Sequence, residues 1–196
     1  MTAAEQLRYV PVAEYLADEL TSQVKHEYLG GFVYAMAGAS NVHNLIASNV
    51  LGSLHGRLRS KPCRPYNSDT KIRVNLPTHV RFYYPDVSVI CESNPPGDSF
   101  QDRPVLIVEV LSDKTRRTDF GEKKDAYLTI SSLKAYLLVE PSYAFVTVFR
   151  RGEQGFVQES YDNLGSSISL GEIQAELSLS EVYEGVEFAP EPEEAA

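Results

Sequence analysis

The sequence lacks several features that would point to a compartment or a partner. Its 196 residues contain no tryptophan and only two cysteines, Cys63 and Cys91. No apolar run approaches the roughly 20 residues needed to cross a bilayer, and the first residues lack the basic start and apolar stretch of a secretion signal. The two cysteines form no metal-binding spacing. We therefore expect reduced thiols in a cytoplasmic protein that has no membrane partner.

Basic residues are also scarce, although they are unevenly distributed. The net charge of -9 argues at first against a nucleic-acid partner, because a phosphate backbone attracts basic surfaces. Residues 187–196 contribute four acids and no base, whereas residues 57–81 hold seven bases and one acid. This basic segment could contact a phosphate chain, with Arg73 as a candidate substrate-binding residue. The alternative is an ordinary solvated surface.

The hydrophobic pattern predicts one α/β domain over residues 1–186, followed by an acidic disordered tail over residues 187–196. Gly30-Gly31 marks the turn of a hairpin, and Ser40 or Asn41 can cap a long helix with an apolar stripe. The predicted helices cover residues 12–20, about 41–59 and 119–130. The predicted strands cover residues 27–29, 32–36, 70–76, 83–91, 105–111, 134–140, 144–150 and 155–161, with a short strand or helix near 177–183.

Two acidic residues, Asp86 and Glu109, interrupt apolar runs that otherwise read as buried strands. Burial disfavours an ionised carboxylate, so two such acids on successive strands indicate a shared cation. If the strands are neighbours, the two carboxylates and the carbonyl of Val110 form a hard oxygen site that suits Mg²⁺ or Mn²⁺. Without the ion, repulsion between the carboxylates is expected to raise one pKa.

The Tyr84-Pro85-Asp86-Val87 segment, the Glu109-Val110-Leu111-Ser112 segment and the order helix, three strands, helix, strand resemble the restriction-endonuclease-like superfamily, whose signature is PD-(D/E)xK. Within it they resemble the Uma-type family of putative restriction endonucleases. The resemblance covers roughly residues 10–185 and implies an αβββαβ core with a mixed sheet flanked by helices. An N-terminal helix and hairpin and extra C-terminal strands would be added to this core. The matching residues are Glu27-Tyr28-Leu29-Gly30-Gly31, Met36-Ala37-Gly38, His43, Tyr84-Pro85-Asp86-Val87, Glu109-Val110-Leu111-Ser112, Thr115, Asp119, Lys123, Tyr127 and Tyr136 to Pro141.

The chain departs from the signature at Leu111, where the motif expects a lysine. The resemblance implies that the lysine has moved to the following helix, where Lys123 fits. Asp119, Lys123 and Tyr127 are four residues apart and share one helical face, whereas Lys124 points about a quarter-turn away. We prefer Lys123 and keep Lys124 as a lesser candidate for substrate binding. The alternative is an exposed ion pair between Asp119 and Lys123 that adds little stability.

The resemblance brings two further residues to the site. It implies that Glu27 acts as an additional metal or water ligand, although an acid before a Gly-Gly turn can equally be solvated. His43, in the first turn of the long helix, could shuttle protons or contact a phosphate. A single histidine on a helix is more often structural.

These observations favour a Mg²⁺-dependent endonuclease that hydrolyses phosphodiester bonds in nucleic acid, with DNA as the first choice. Asp86, Glu109, Glu27 and Lys123 form the expected catalytic set. The main alternative is a non-catalytic nucleic-acid-binding or assembly module that keeps the fold, and a third is a hydrolase of smaller phosphate substrates. The hairpin over residues 144–161 offers a sheet edge that could pair two chains in a homodimer.

Overall fold

The computed structural model describes residues 8–188, which contain five helices and thirteen strands. The helices are α1 (Val12–Glu19), α2 (Asn41–Arg57), α3 (Arg116–Phe120), α4 (Glu122–Tyr127) and α5 (Leu179–Val182). The strands are β1 (His26–Leu29), β2 (Phe32–Ala35), β3 (Arg64–Asn67), β4 (Lys71–Asn75), β5 (Val80–Tyr83), β6 (Val87–Ile90), β7 (Phe100–Gln101), β8 (Pro104–Val110), β9 (Ala135–Val139), β10 (Val146–Gly152), β11 (Gly155–Tyr161), β12 (Ser167–Leu170) and β13 (Ala175–Ser178).

A mixed six-stranded sheet, in the order β11-β10-β9-β8-β6-β3, forms the centre of the domain. Only β8 and β9 are parallel, and the chain between them contains α3 and α4, as a parallel crossover requires. One face of this sheet packs against α2, α5 and the β12–β13 pair. The expected α/β class, with a mixed sheet flanked by helices, is confirmed.

The opposite face of the six-stranded sheet packs against α4 and a second sheet, in the order β2-β1-β5-β4-β7. On the far side of this second sheet, Tyr15 of α1 contacts the aromatic rings of Tyr28 and Phe82. The predicted strand over residues 83–91 is therefore two strands in different sheets. It breaks before Pro85, which cannot donate a hydrogen bond to a ladder.

Helix α2 forms where the sequence predicts it and positions one side of the cavity described below. Ser40 caps the helix by accepting the His43 backbone N–H at 3.2 Å, so His43 lies in the first turn. Ile46, Val50 and Leu54 follow at helical spacing and are fully buried against the six-stranded sheet.

Both ends of the chain extend beyond the described residues. Phe188, which the sequence assigns to the tail over residues 187–196, packs its ring 5.4 Å from that of Tyr183. Residues 189–196 of the predicted tail lie outside the described part. Within residues 8–188, no helix combines the length and the apolar composition of a membrane span. Strand β11 is an edge of its sheet, and homodimer formation through it stays a prediction.

The expectation of two reduced thiols is wrong for this structure, because Cys63 and Cys91 form a disulfide. The cause is strand β3, which the sequence reading missed because Pro65 suggested a break. Proline is tolerated in β3 because it is an edge strand. Its antiparallel register pairs Arg64 with Ile90, so the residues one step further, Cys63 and Cys91, face each other. The cysteines thus no longer support a cytoplasmic location.

We expect the Cys63→Ser/Cys91→Ser double variant to be less stable than the oxidised wild type by about 3 kcal/mol, because the bridge closes a 28-residue loop. Chemical denaturation with and without a reductant measures this difference, and the double variant should not respond to the reductant. Iodoacetamide should label no thiol in denatured, unreduced wild type. Two labelled cysteines in that sample would contradict the disulfide.

Candidate active site

A cavity of about 830 Å³ opens where the two sheets, α2 and the α3–α4 crossover meet. The hairpin and the start of α2 form one wall, and the segment that follows β8 forms another. Its polar lining includes Glu27, Ser40, His43, Asn44, Tyr84, Asp86, Glu109, Ser112, Lys114, Thr115, Arg116, Asp119, Lys123 and Ser142. Most of the residues singled out from the sequence therefore face one space.

Glu109 lies on β8, and Asp86 immediately precedes β6, the antiparallel neighbour of β8. Val87 pairs with Val108, so Asp86, one residue before β6, lies across from Glu109. Asp86 Oδ2 also accepts the backbone N–H of Val110 at 2.7 Å. Strand register and this hydrogen bond together fix the carboxyl group at the end of β8.

Lys123 occupies the centre of an acidic cluster. Its Nζ lies 2.8 Å from Glu27 Oε1 and 3.5 Å from both Glu109 Oε1 and Asp119 Oδ1. All four side chains are largely removed from solvent, so the alternative of an exposed ion pair between Asp119 and Lys123 does not hold. Burial lowers the pKa of Lys123, but the carboxylates of Glu109, Glu27 and Asp119 outweigh it and raise the pKa well above the usual range. The ammonium therefore stays charged.

Three carboxyl groups surround the one ammonium of Lys123, and the pKa of each is raised. Burial, opposed by Lys123, raises the pKa of Glu109 well above its usual range, and it also raises the pKa of Glu27 and of Asp119. One raised carboxyl pKa was expected from repulsion between Asp86 and Glu109. Burial is the larger cause of the raised pKa of Glu109, and the charge of the nearby Asp119 raises this pKa more than the charge of Asp86 does.

Tyr127 supports the cluster from α4, where its hydroxyl donates to Glu109 Oε1 at 3.2 Å. The predicted common face of Asp119, Lys123 and Tyr127 thus exists, although the helix is broken at Gly121. Tyr136, on β9, anchors the same region by donating to the Asp119 carbonyl at 3.0 Å.

His43 reaches the cavity from α2, and its Nε2 lies 3.2 Å from Asp86 Oδ2. Burial lowers the pKa of His43, but the hydrogen bond to Asp86, the charge of Asp86 and the Val110 carbonyl outweigh it, so the pKa is raised. The ring thus contacts Asp86, one of the groups that the sequence analysis assigned to a metal ion. It is a polar member of the site rather than a surface residue.

Two of the candidate substrate-binding residues lie elsewhere. Arg73 makes a bidentate ion pair with Asp102 at 2.7 Å and stacks over Phe100, and it does not line the cavity. Lys124 lies over the Phe149 ring and near Asp125, as its quarter-turn offset predicted. Neither side chain reaches the acidic cluster in this structure.

The sequence reading placed Asp119 on the correct helical face but did not include it in the site. It also missed a polar chain behind the cavity wall, in which buried Lys71 donates to Tyr84 and Tyr84 donates to Glu19. Burial lowers the pKa of Lys71. The one sequence signal for this polar chain was Lys71 at the start of an apolar strand. The acid of the chain, Glu19, is 52 positions away in the sequence.

The donor atoms left over in the cavity fit a hard divalent cation. Asp86 Oδ1 and Glu109 Oε2 make no hydrogen bond or ion pair with other described residues. Within residues 8–188, no three histidine, cysteine, aspartate or glutamate side chains form a complete metal cage. Mg²⁺ commonly takes one or two carboxylates and keeps several water molecules, so Asp86, Glu109 and the Val110 carbonyl are the candidate ligands.

The mixed sheet, its crossover helices and the carboxylates at the strand ends define a restriction-endonuclease-like fold. A crystal structure described as "a putative nuclease belonging to DUF820", from Anabaena variabilis, superposes with a TM-score of 0.70 at 16% identity. The alignment covers 89% of this chain and 97% of that chain.

The chain belongs to the Uma2 family, described as "Putative restriction endonuclease", whose model matches residues 12–181. An uncharacterized protein of Synechocystis sp., slr1290, is 31% identical over 177 residues, which is 89% of this chain and 92% of that protein. A second one from the same organism, sll1609, is 32% identical over 143 residues, or 71% and 80%. The resemblance noted in the sequence is thereby confirmed.

We expect Lys123→Gln to destabilise the metal-free protein by about 3 kcal/mol at pH 8, because three buried carboxylates would lose their cation. The folded-state pKa of Glu109 lies above its ordinary value of 4.5, so ionisation of this group lowers the stability of the protein as the pH rises above that value. The deficit should therefore shrink towards pH 5, where the carboxylates take up protons.

Denaturation curves at several pH values measure this effect. Lys124→Gln is the matched control, since it removes the same charge outside the cavity and should change stability by less than about 0.5 kcal/mol. A deficit that is equal at pH 5 and pH 8 would contradict the electrostatic role of Lys123.

Proposed function

We propose that this protein is a Mg²⁺- or Mn²⁺-dependent phosphodiester hydrolase that cuts nucleic acid. The proposal rests on one observation: Asp86, Glu109 and Lys123 line the same cavity, although 37 positions separate the first from the last in the sequence. Membership of a family described as restriction endonucleases makes DNA the first substrate to test.

The metal would be held by Asp86, Glu109 and the carbonyl of Val110. When bound, such an ion supplies a water of lowered pKa and neutralises charge on the phosphoryl group. Strand register keeps the two carboxylates in place, and Val110 N–H holds the Asp86 carboxyl at 2.7 Å. Such prior alignment avoids reorganisation during the reaction.

Lys123 would stabilise the negative charge that develops on the phosphate or hold the attacking water. Its raised pKa keeps the ammonium protonated, so it serves as a donor and not as the base. Glu27 Oε1 lies 2.8 Å from the ammonium of Lys123. It is thus placed to orient Lys123 or to contact a water in the cavity.

The metal site can be tested before any substrate is known. Asp86→Asn and Glu109→Gln should each weaken Mg²⁺ and Mn²⁺ binding in calorimetric titrations, because each removes a ligand charge while keeping side-chain size. Asp162→Asn is the control: it removes a carboxylate charge on the surface, away from the cavity, and should leave metal affinity unchanged. Wild-type affinity in both site variants would refute the shared-cation site.

A cleavage assay distinguishes a nuclease from a non-catalytic binding module. With Mn²⁺ and single-stranded, duplex and branched DNA, or RNA, Lys123→Gln should cut about 10²-fold more slowly or worse, as when other charge-stabilising groups are lost. Metal binding and most nucleic-acid affinity should remain, because the group acts on the transition state. Lys124→Gln should cut nearly as fast as wild type.

The cleavage assay is run under conditions in which denaturation curves show that Lys123→Gln is folded. Equal rates in Lys123→Gln and wild type would overturn the role of Lys123 alone. A wild type that binds metal and nucleic acid but cuts none of these substrates would favour the non-catalytic module.

A further inference from the structure

The charged side chains that line the cavity divide into an acidic set around Lys123 and a more exposed remainder. Four carboxylates form the acidic set, and Lys123 is its buried ammonium. A phosphate chain that approaches this set is repelled before any metal neutralises it. Cations elsewhere on the lining would help to hold the substrate in place. The other charged side chains of the lining are Lys25, Lys114 and Arg116, together with the acid Asp113.

Two of these three cations are poorly suited to the task. Lys25 is already engaged, since its Nζ lies 2.6 Å from Asp69 Oδ1 and donates to the Ser68 carbonyl at 2.8 Å. Lys114 is exposed and makes no ion pair with another described residue, so nothing holds its side chain in one position.

Arg116 differs because a buried carboxylate fixes it. Its Nη2 donates to Glu140 Oε2 at 2.6 Å, and the Glu140 side chain is only 3% exposed. Glu140 follows β9 and is itself held, because its carbonyl accepts the Tyr183 hydroxyl at 3.0 Å and its N–H donates to the Phe145 carbonyl at 3.0 Å. The anchor of Arg116 is thus part of the folded core.

The same guanidinium keeps most of its donors available. An arginine side chain carries five N–H donors, and the bond to Glu140 is the one that the Arg116 side chain makes with described residues. The side chain remains 41% exposed while it lines the cavity. A guanidinium held on one edge presents a planar set of donors that matches two phosphate oxygens.

We propose that Arg116 is a phosphate-binding residue of this site and that Glu140 is its positioning residue. This inference rests on the proposed function, because it takes the substrate to be a phosphodiester chain. Arg116 would bind a phosphate that neighbours the one to be cut, while the acidic set holds the reacting group. It also gives a role to Glu140, which lies in the matching segment from Tyr136 to Pro141 and is not part of the catalytic set.

The test is equilibrium binding of a fluorescein-labelled 20-nucleotide DNA, single-stranded and duplex, measured by anisotropy over a series of KCl concentrations with Ca²⁺ present. The key variant is Arg116→Gln/Glu140→Gln, which keeps the net charge of the chain and leaves no buried carboxylate without a partner. We expect its affinity to fall about tenfold. The slope of log K against log salt should decrease by about 0.9 on duplex or 0.7 on single strands, the value of one phosphate contact.

Two further variants sharpen the test. Arg117→Gln removes the same charge from the next residue of α3, which is exposed and outside the cavity, and should keep the wild-type slope. Glu140→Gln alone removes a negative charge, so electrostatics alone would raise DNA affinity, whereas loss of positioning lowers it. Thermal melts of each variant identify any that fail to fold, and Arg116→Lys, which keeps a cation beside Glu140, should recover most of the slope.

The outcomes separate this inference from the proposed function. An unchanged salt slope in the double variant, with DNA still cut, overturns the phosphate-binding role alone. Higher DNA affinity in Glu140→Gln overturns the positioning role. A reduced slope in a protein that cuts no nucleic acid supports this inference and overturns the nuclease, and a wild type that binds neither DNA nor RNA overturns both.

Discussion

The ion contacts of Lys123 are the constraint on which the rest of the site depends. They join Glu27 from the second sheet, Glu109 from the central sheet and Asp119 from the crossover. A buried cation is costly unless opposite charges replace its hydration, and buried carboxylates have the same requirement. Neither side of this cluster can therefore be buried alone. The packing of the two sheets and the placement of α4 bring the partners together.

This arrangement leaves the site with unbalanced charge. Burial raises the pKa of three carboxyl groups around one ammonium, so the metal-free protein holds an electrostatically unfavourable cluster. Structures retain such clusters mainly where function needs them. The disulfide, the aromatic packing of Tyr15, Tyr28 and Phe82, and the apolar residues on both faces of the central sheet supply stability elsewhere. The cavity can thus keep an excess of negative charge.

The sequence predicted those parts of the site that depend on local periodicity. Asp86 and Glu109 stand out within strand-like runs, and the four-residue spacing of Asp119 and Lys123 places both on one helical face. The sequence-based predictions were wrong where the environment of a side chain depended on residues far away in the chain. Arg73 looked available because Asp102, its partner, is 29 positions away.

Strand β3 and the disulfide were missed for a related reason. Pro65 reads locally as a break, and only the pairing of β3 with β6 shows that it lies on an edge where proline is tolerated. The same limit hid the Glu140–Arg116 pair. Local pattern reports the face of an element, but it does not report which element covers that face.

The break between α3 and α4 has a consequence for anyone who would transplant this centre. At Gly121 an added Cβ would lie 2.9 Å from the carbonyl oxygen of Arg117, so a side chain there forces the two short helices to realign. The first helix carries Arg116 and Asp119, and the second carries Lys123. A design that grafts the acids and the lysine onto a straight helix would therefore reproduce the residue spacing and lose the geometry. Gly121 is therefore needed for the geometry of the site, although it contributes no functional group.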